Sequence, residues 1–267
     1  MKQLGWWVGM MVLAAGAQVR AEEATAPDNK DSNWSVTLGA GVVSGPKYPG
    51  ASKRETGLMP IVNVTYRDMF FLDSMRGLGV QYPVSEHWSA YASIAAGDER
   101  KEKDDNRLKG LGDIKARATF NLGAEWEKDR WKLGVSLSRR MGKDDLPGQT
   151  GRKGGMLTSI EGSYAVVQTQ QTEVSVGLSA THMNKAYAET FFGVNARQAS
   201  QSGLRSFEAK GGLRDVELFI EGKHQLDKHW SLLGRVGVSK LRGDAARSPI
   251  TQKSRSVSAF FGAAYTF

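Results

Sequence analysis

Four histidines are the first candidates for chemistry: His87, His182, His224 and His229. His87 and His229 each directly precede a tryptophan, and His224 falls near another predicted strand end. His182 begins the longest predicted loop, with Thr181 and Asn184 beside it. Nucleophilic catalysis needs a hydroxyl, a base and an orienting carboxylate within mutual reach, and local spacing ties no such set to His182. No histidine pair has the HExxH spacing of a zinc site, and a chain without cysteine has neither thiolate ligands nor thiol nucleophiles. GQTGRKGG lacks the closing Lys-Ser/Thr of a phosphate loop. The expectation is a non-enzymatic protein without catalytic, cofactor-binding or metal-ligating residues.

A second set of ionisable groups is better organised. Lys115, Arg117, Glu161, Glu217, Glu221 and Arg235 fall on the polar side of alternating segments. In DIKARATFNLGAEW, Ile114, Ala116, Ala118, Phe120, Leu122, Ala124 and Trp126 share one face; Lys115, Arg117, Thr119, Asn121 and Glu125 share the other. A helix would scatter both sets around its circumference, so period two means strand. LRDVELFIEGKH sets Val216, Leu218 and Ile220 against Asp215, Glu217, Glu221 and Lys223, and WSLLGRVGVS sets Trp230, Leu232, Val236 and Val238 against Ser231, Arg235 and Ser239. Glu161, Glu217 and Glu221 are thus placed to meet Arg117, Arg214 or Arg235 across an interior. They would act there as ion networks bracing a wall or as a charge filter for small solutes.

The elements that position these charges are long. Several alternating segments reach nine to thirteen residues, whereas a soluble strand has about five or six and a tilted membrane strand about 9–11. Their polar faces carry both signs of charge and many small residues, as a hydrated lumen requires. The fold class predicted is therefore all-β: a transmembrane antiparallel β-barrel with its apolar face toward lipid, in preference to a soluble sandwich. Ten strands read directly, near 34–43, 55–66, 87–96, 112–126, 130–140, 154–168, 172–182, 212–225, 229–241 and 254–267. MFFLDSMRGLGVQYP lies between two short connections, so it must go out and back as a hairpin near Asp73-Ser74, which makes twelve strands. Reading it as one strand gives eleven and prevents antiparallel closure.

Short turns at WEKDRW, QTQQTE and HQLDKHW alternate with long connections at 97–111, 141–153, 183–211 and 242–253. Short periplasmic turns and long external loops are the usual asymmetry, and it puts both termini in the periplasm. Trp34, Trp88, Trp126, Trp131 and Trp230 fall near the predicted periplasmic ends, an aromatic girdle at the headgroups. The mixed-charge loop KEKDDNRLKG suits lipopolysaccharide phosphates better than nucleic acid.

The N-terminus begins with Lys2, an apolar run LGWWVGMMVLAAGA and small residues, which reads as a secretory signal over residues 1–21, cleaved after Ala17 or Ala21. Cleavage after Ala21 removes Lys2 and Arg20, taking the formal charge from +8 to +6. A polar tether over 22–33 then leads to a barrel over 34–267. At the other end Val257, Ala259, Phe261, Ala263, Tyr265 and Phe267 form the lipid face of a last strand that closes against the first. FFGAAYTF resembles the C-terminal signal by which outer-membrane proteins meet the barrel-assembly machinery, with Gly262, Tyr265 and Phe267 in step and Phe260 where a polar residue is common.

A more specific likeness lies in LGAGVVSGPKYPGASKRETGLMPIVNVTYRDMFFLDSMRGLGV. Gly39, Gly41, Pro46, Tyr48, Gly50, Pro60 and Tyr66, with the Phe-Phe at 70–71 and Gly77-Leu78-Gly79, give a pattern that resembles the MipA/OmpV family of outer-membrane proteins. Lys47 and Pro49 depart from it where an acidic residue is common. The resemblance implies an outer-membrane scaffold interacting with a periplasmic murein transglycosylase or synthase, and it brings no catalytic residues. The alternatives are a small-solute diffusion channel and, third, an outer-membrane lipid or peptide hydrolase. Outer-membrane lipids and lipopolysaccharide complete the expected partners; nucleic acid is not among them.

Overall fold

The computed structural model describes residues 33–267; the expected signal peptide and all but the last residue of the expected tether lie outside the described residues. Fourteen strands follow in chain order: β1 Trp34–Pro46, β2 Arg54–Tyr66, β3 Phe70–Asp73, β4 Gly77–Pro83, β5 Trp88–Ala96, β6 Ala118–Lys128, β7 Trp131–Arg140, β8 Lys143–Leu146, β9 Gln149–Lys153, β10 Met156–Gln168, β11 Thr172–Met183, β12 Gly212–Gln225, β13 Trp230–Leu241 and β14 Arg255–Thr266. Twelve of them form one closed antiparallel barrel in chain order, while β8 and β9 make a separate hairpin between β7 and β10. Closure runs from Thr37↔Thr266 to Ser44↔Ala259.

Closure pairs the first strand with the last, which leaves backbone edges unpaired only where a neighbouring strand is short, and paired edges are what strands need in hydrocarbon. The alternation then sorts the side chains. Val42, Leu58, Ile94, Ile160, Leu178 and Phe261 are exposed on the outer face, while Ser93, Ser175, Glu217, Arg235 and Ser258 are buried inside. A continuous apolar belt of this kind would be a liability in water and is the expected surface against lipid. The chain is an outer-membrane β-barrel.

The five strand-end tryptophans gather at the end of the barrel with the short turns. Trp34 packs on Tyr66 at 4.5 Å between ring centres, Trp131 on Tyr164 at 4.9 Å and Trp230 on Tyr265 at 5.3 Å, and Trp88 stands opposite Trp126. Arg67 and Asp68, in the three-residue connection from β2 to β3, both have positive φ (52° and 54°), the geometry that lets a tight hairpin turn follow the strand twist.

MFFLDSMRGLGVQYP is the expected hairpin, turning over Ser74–Arg76. Its arms have four and seven residues against thirteen in β2. The last bonds across are Ser74 N–H to Val62 O at 2.9 Å and Val62 N–H to Ser74 Oγ at 2.7 Å. Among the described residues, β2 has no strand partner on that side from Arg54 to Ile61. Pro60, two residues past Val62 and so on the same edge, has no N–H to leave unpaired there.

Two expectations fail at the other end. The strand expected from residue 112 starts at Ala118, and Ile114 does not face lipid: it bridges to Arg100 and is fully buried. The long connections are also not merely polar loops. They hold α1 Lys185–Phe192, α2 Ala196–Ser202 and α3 Gly243–Arg247, with Asn184 capping α1 by accepting from Tyr187 N–H and Asn195 capping α2 through a reciprocal pair with Gln198. Their apolar residues have no strand period, and they find one another. Ile114, Leu146, Met183, Tyr187, Phe191, Phe192 and Leu241 form one buried cluster, and Tyr48, Leu108, Leu111, Val194 and Ile250 form a second.

Candidate functional site in the barrel lumen

The clusters tie connections from around the whole rim into one cap. Gln198 Nε2 donates to Leu111 O at 2.6 Å, Arg100 Nη1 to Phe191 O at 2.7 Å, Asn195 Nδ2 to Pro147 O at 2.8 Å and Ser248 Oγ to Phe192 O at 2.6 Å. The α1–α2 segment is therefore bonded to three other connections, and Tyr187 of α1 lines the loop end of a lumen cavity of about 160 Å³.

Below the cap the lumen is divided. On one side it is apolar: Val43, Met59, Met75 and Phe260 pack together, with Ile61 and Leu233 against them. Met75 belongs to the short β3–β4 turn, which thus folds inward. Glycine makes room for this packing, since a Cβ on Gly41 would lie 2.4 Å from the Phe260 ring.

On the other side the charges expected from sequence converge. Arg235 is 2% exposed and its guanidinium meets Glu221 at 2.9 Å, Glu161 at 3.3 Å and Glu217 at 3.7 Å. Its flat face rests on Phe219, 3.6 Å from the ring centre. A buried arginine with its fork shared among three carboxylates is a brace, because no member can leave without exposing an unpaired charge. Arg235 is therefore the partner, and neither Arg117 nor Arg214 takes that role. Lys132 makes a second node, with Glu173 at 2.7 Å and Glu127 at 3.8 Å. Arg76 from the β3–β4 turn lies over Phe71 and Tyr91, at 4.4 and 5.5 Å.

Lys115 and Arg117 are not lumenal. Both precede β6; the exposed Lys115 contributes its carbonyl to Arg140, and Arg117 donates to Lys143 O at 2.6 Å and approaches Asp144 at 3.6 Å. They belong to the cap's foundation.

A further polar group latches cap to wall. Tyr187 O–H donates to Asp98 Oδ2 at 2.7 Å, Arg214 lies 3.4 Å from the same hydroxyl and pairs with Asp215, and Arg140 Nη1 donates to Asp98 O at 2.6 Å. Burial raises the Asp98 pKa above the ordinary carboxylate value despite Arg214, and burial with Asp98 alongside pushes Tyr187 well above an ordinary phenol. In the cap itself, burial lowers Arg100 to about 10.

The remaining singled-out residues have structural places. Tyr48 is 1% exposed and its hydroxyl accepts from Gln252 Nε2 at 2.8 Å. Gly50 has φ +93°, a region that favours glycine, and its carbonyl accepts from Gln252 and Lys253 N–H. Gly39 approaches the β14 backbone, where a Cβ would lie 2.2 Å from Ala263 O, and Pro46 ends β1. Tyr66 packs at a tilt against Trp34, and Gly262 sits inward between Ile61 and Phe260. Tyr265 stacks on His229 at 5.1 Å and meets Phe267 edge-on at 4.9 Å. His182, expected to open a loop, is instead an exposed residue near the end of β11. Among the described residues no group of three His, Cys, Asp or Glu side chains could hold a metal ion.

No curated protein matches the chain. Among solved structures, the NanC porin overlaps with a TM-score of 0.48 at 9% identity, covering 86% of this chain and 98% of its own. The CymD monoaromatic hydrocarbon channel gives 0.43 at 11%, covering 88% of each. The outer membrane channel DcaP of Acinetobacter baumannii gives 0.38 at 9%, covering 88% and 96%. Overlap this distant says nothing about what passes through the barrel. A family model is more informative: "MltA-interacting protein MipA" matches residues 38–267, nearly the whole barrel, and the chain belongs to that family.

Proposed function

We propose that this protein is a non-enzymatic outer-membrane scaffold, inserted with both termini and the short turns in the periplasm, where it engages murein-remodelling enzymes. One observation carries the reading: the lumen is narrowed and its loop end is capped. Apolar side chains fill one side, the Arg235 network braces the other, and connections bonded across the rim cover the loop end. A diffusion channel needs a continuous wet path, whereas the lumen cavity, about 160 Å³, meets Tyr187 of the cap at its loop end. The family description supports the choice of partner. The turn end supplies a small surface, with Val84 and Leu226 exposed on it, so contact there is expected to be weak unless the N-terminal segment adds to it.

The test is site-specific photo-crosslinking in intact cells from Val84 and Leu226, with Leu58 on the lipid belt as control. Adducts containing a murein transglycosylase or synthase from the first two positions only are expected. Adducts with neither enzyme from either turn position would overturn the scaffold reading. In planar bilayers the intact protein should be silent; stable ion-selective steps would favour the channel.

A further inference from the structure

On the outer wall, just beyond the apolar belt at the loop end, three cations converge without a carboxylate. Lys240 on β13 and Arg255 on β14 stand directly opposite each other, each two residues beyond an exposed belt residue, Val238 and Val257. Like charges in directly opposed positions repel, so the sheet gains nothing by holding them there. Arg54, exposed at the start of β2, joins them by reaching across β1. Its Nη1 donates to Val257 O at 2.7 Å and its Nη2 to Ser44 Oγ at 3.2 Å.

The reach has a cause in the register. Ser44↔Ala259 is the last β1–β14 pair, and two residues further on the same register sets Pro46 opposite Val257. Proline has no N–H to offer the Val257 carbonyl, and Arg54 supplies the missing donor. That anchors its guanidinium on β14, two residues from Arg255, with other N–H groups still free. None of the three cations takes part in an ion pair among the described residues. Glu55 has the opposite strand parity to Arg54, and Asp244 is engaged by Arg247 and by Lys210 N–H.

We propose that Arg54, Lys240 and Arg255 bind a phosphate of a phosphorylated glycolipid in the outer leaflet, with its acyl chains on Leu58, Val238, Val257 and Phe261. The position rests on the insertion proposed above, with the loop end outward. Charge complementarity and continuity with the belt select this ligand: cations immediately above hydrocarbon stand at headgroup height, where anionic lipids attract them. An arginine already anchored by two bonds offers phosphate a pre-organised donor.

The test uses the full mature chain in detergent micelles, with native mass spectrometry counting bound bisphosphorylated lipid A, and inorganic phosphate as a separate arm. The wild type should retain one lipid A and no inorganic phosphate. Lys240→Gln/Arg255→Gln should lower retention about tenfold or more, with Arg139→Gln, an exposed cation on distant β7, as a control that leaves it unchanged. Heat-modifiable migration reports barrel folding; if the double variant does not fold, Arg54→Gln alone must show the loss. Unchanged retention in the folded variants, equal loss in Arg139→Gln, or free phosphate binding as tightly as lipid A would each overturn the proposal. Micelles have no inside or outside, so failure here is separate from failure of the insertion, which surface proteolysis of whole cells reads.

Discussion

Replacing Arg235 by methionine isolates the brace. Methionine keeps much of the side-chain volume on Phe219, so the main loss is the charge shared by Glu161, Glu217 and Glu221. Removing one partner of a buried ion pair costs about 3–5 kcal/mol, because the other charge is left uncompensated. The Glu161 and Glu221 side chains are 21% and 14% exposed, whereas Glu217 is 3% exposed. Lumen water relieves the first two in part, so the expected cost is near the lower limit, about 3 kcal/mol. Adding Glu161→Gln, Glu217→Gln and Glu221→Gln to Arg235→Met removes the stranded charges and should recover most of that loss. Urea titration of protein refolded into lipid vesicles, followed by tryptophan fluorescence, gives both numbers from the shift in midpoint at constant slope. An Arg235→Met barrel within about 0.5 kcal/mol of the parent, the range of an ordinary surface change, would refute the brace. So would a quadruple variant no more stable than the single one.

Gly41→Val should destabilise the barrel by about 1–3 kcal/mol through overpacking against the Phe260 ring and the Phe261 carbonyl, and Phe260→Ala should reverse only the part due to the ring in a double-mutant cycle read by the same titration. Tyr48→Ala removes a fully buried ring from the cap and is expected to cost the cap about 3–5 kcal/mol by analogy with other aromatic truncations, visible as faster amide exchange at 194–199 while the barrel midpoint holds. The Asp98 latch makes the cap sensitive to pH. Its folded pKa is raised, so the folded state holds the proton more tightly than the unfolded one; cap stability is greatest below the ordinary aspartate pKa of about 4 and declines as pH rises from there toward the raised value. Amide exchange in α1, corrected for intrinsic rates, should follow that decline, and Asp98→Asn, which can still accept from Tyr187, should flatten it. An unchanged slope in the Asn variant would assign the effect to another group.

The wall was legible because strand parity and lipid exposure are the same fact seen twice: Val257, Ala259 and Phe261 alternate in sequence because every second residue meets lipid. Partners inside the wall were only half legible. Glu221 and Arg235 are directly opposed on neighbouring strands, but Glu161 reaches Arg235 from β10 with two strands between, a contact that exists only once the sheet has curled. Lys132, Glu127 and Glu173 carried inward parity without any mark of which would pair. Lys115 and Arg117 misled because DIKARATF keeps its alternation while the chain leaves the wall, and an extended segment paired to Arg100 has the same period as one paired across a barrel. The cap was silent for the opposite reason: Leu108, Leu111, Phe191, Phe192 and Ile250 follow no period, and only their meeting above the lumen reveals a core.

That second core bears on function. A bare diffusion pore is better served by loops that leave its mouth clear, whereas this chain orders its longest connections with two capped helices, a buried arginine and a latch to the wall. Ordering costs about 1–2 kcal/mol of backbone entropy per residue, and it is offset here by apolar contacts that close the lumen. Two further surfaces are open to recognition: the outer wall, where Arg54, Lys240 and Arg255 form no ion pair among the described residues, and the turn end with its exposed Val84 and Leu226. On the scaffold reading proposed above the protein acts at its two membrane faces, so removing the cap residues 185–211 should open conductance without abolishing partner adducts at the turns. Loss of those adducts together with a conductance gain would show that the two ends are coupled, and would refute the separation argued from the capped lumen.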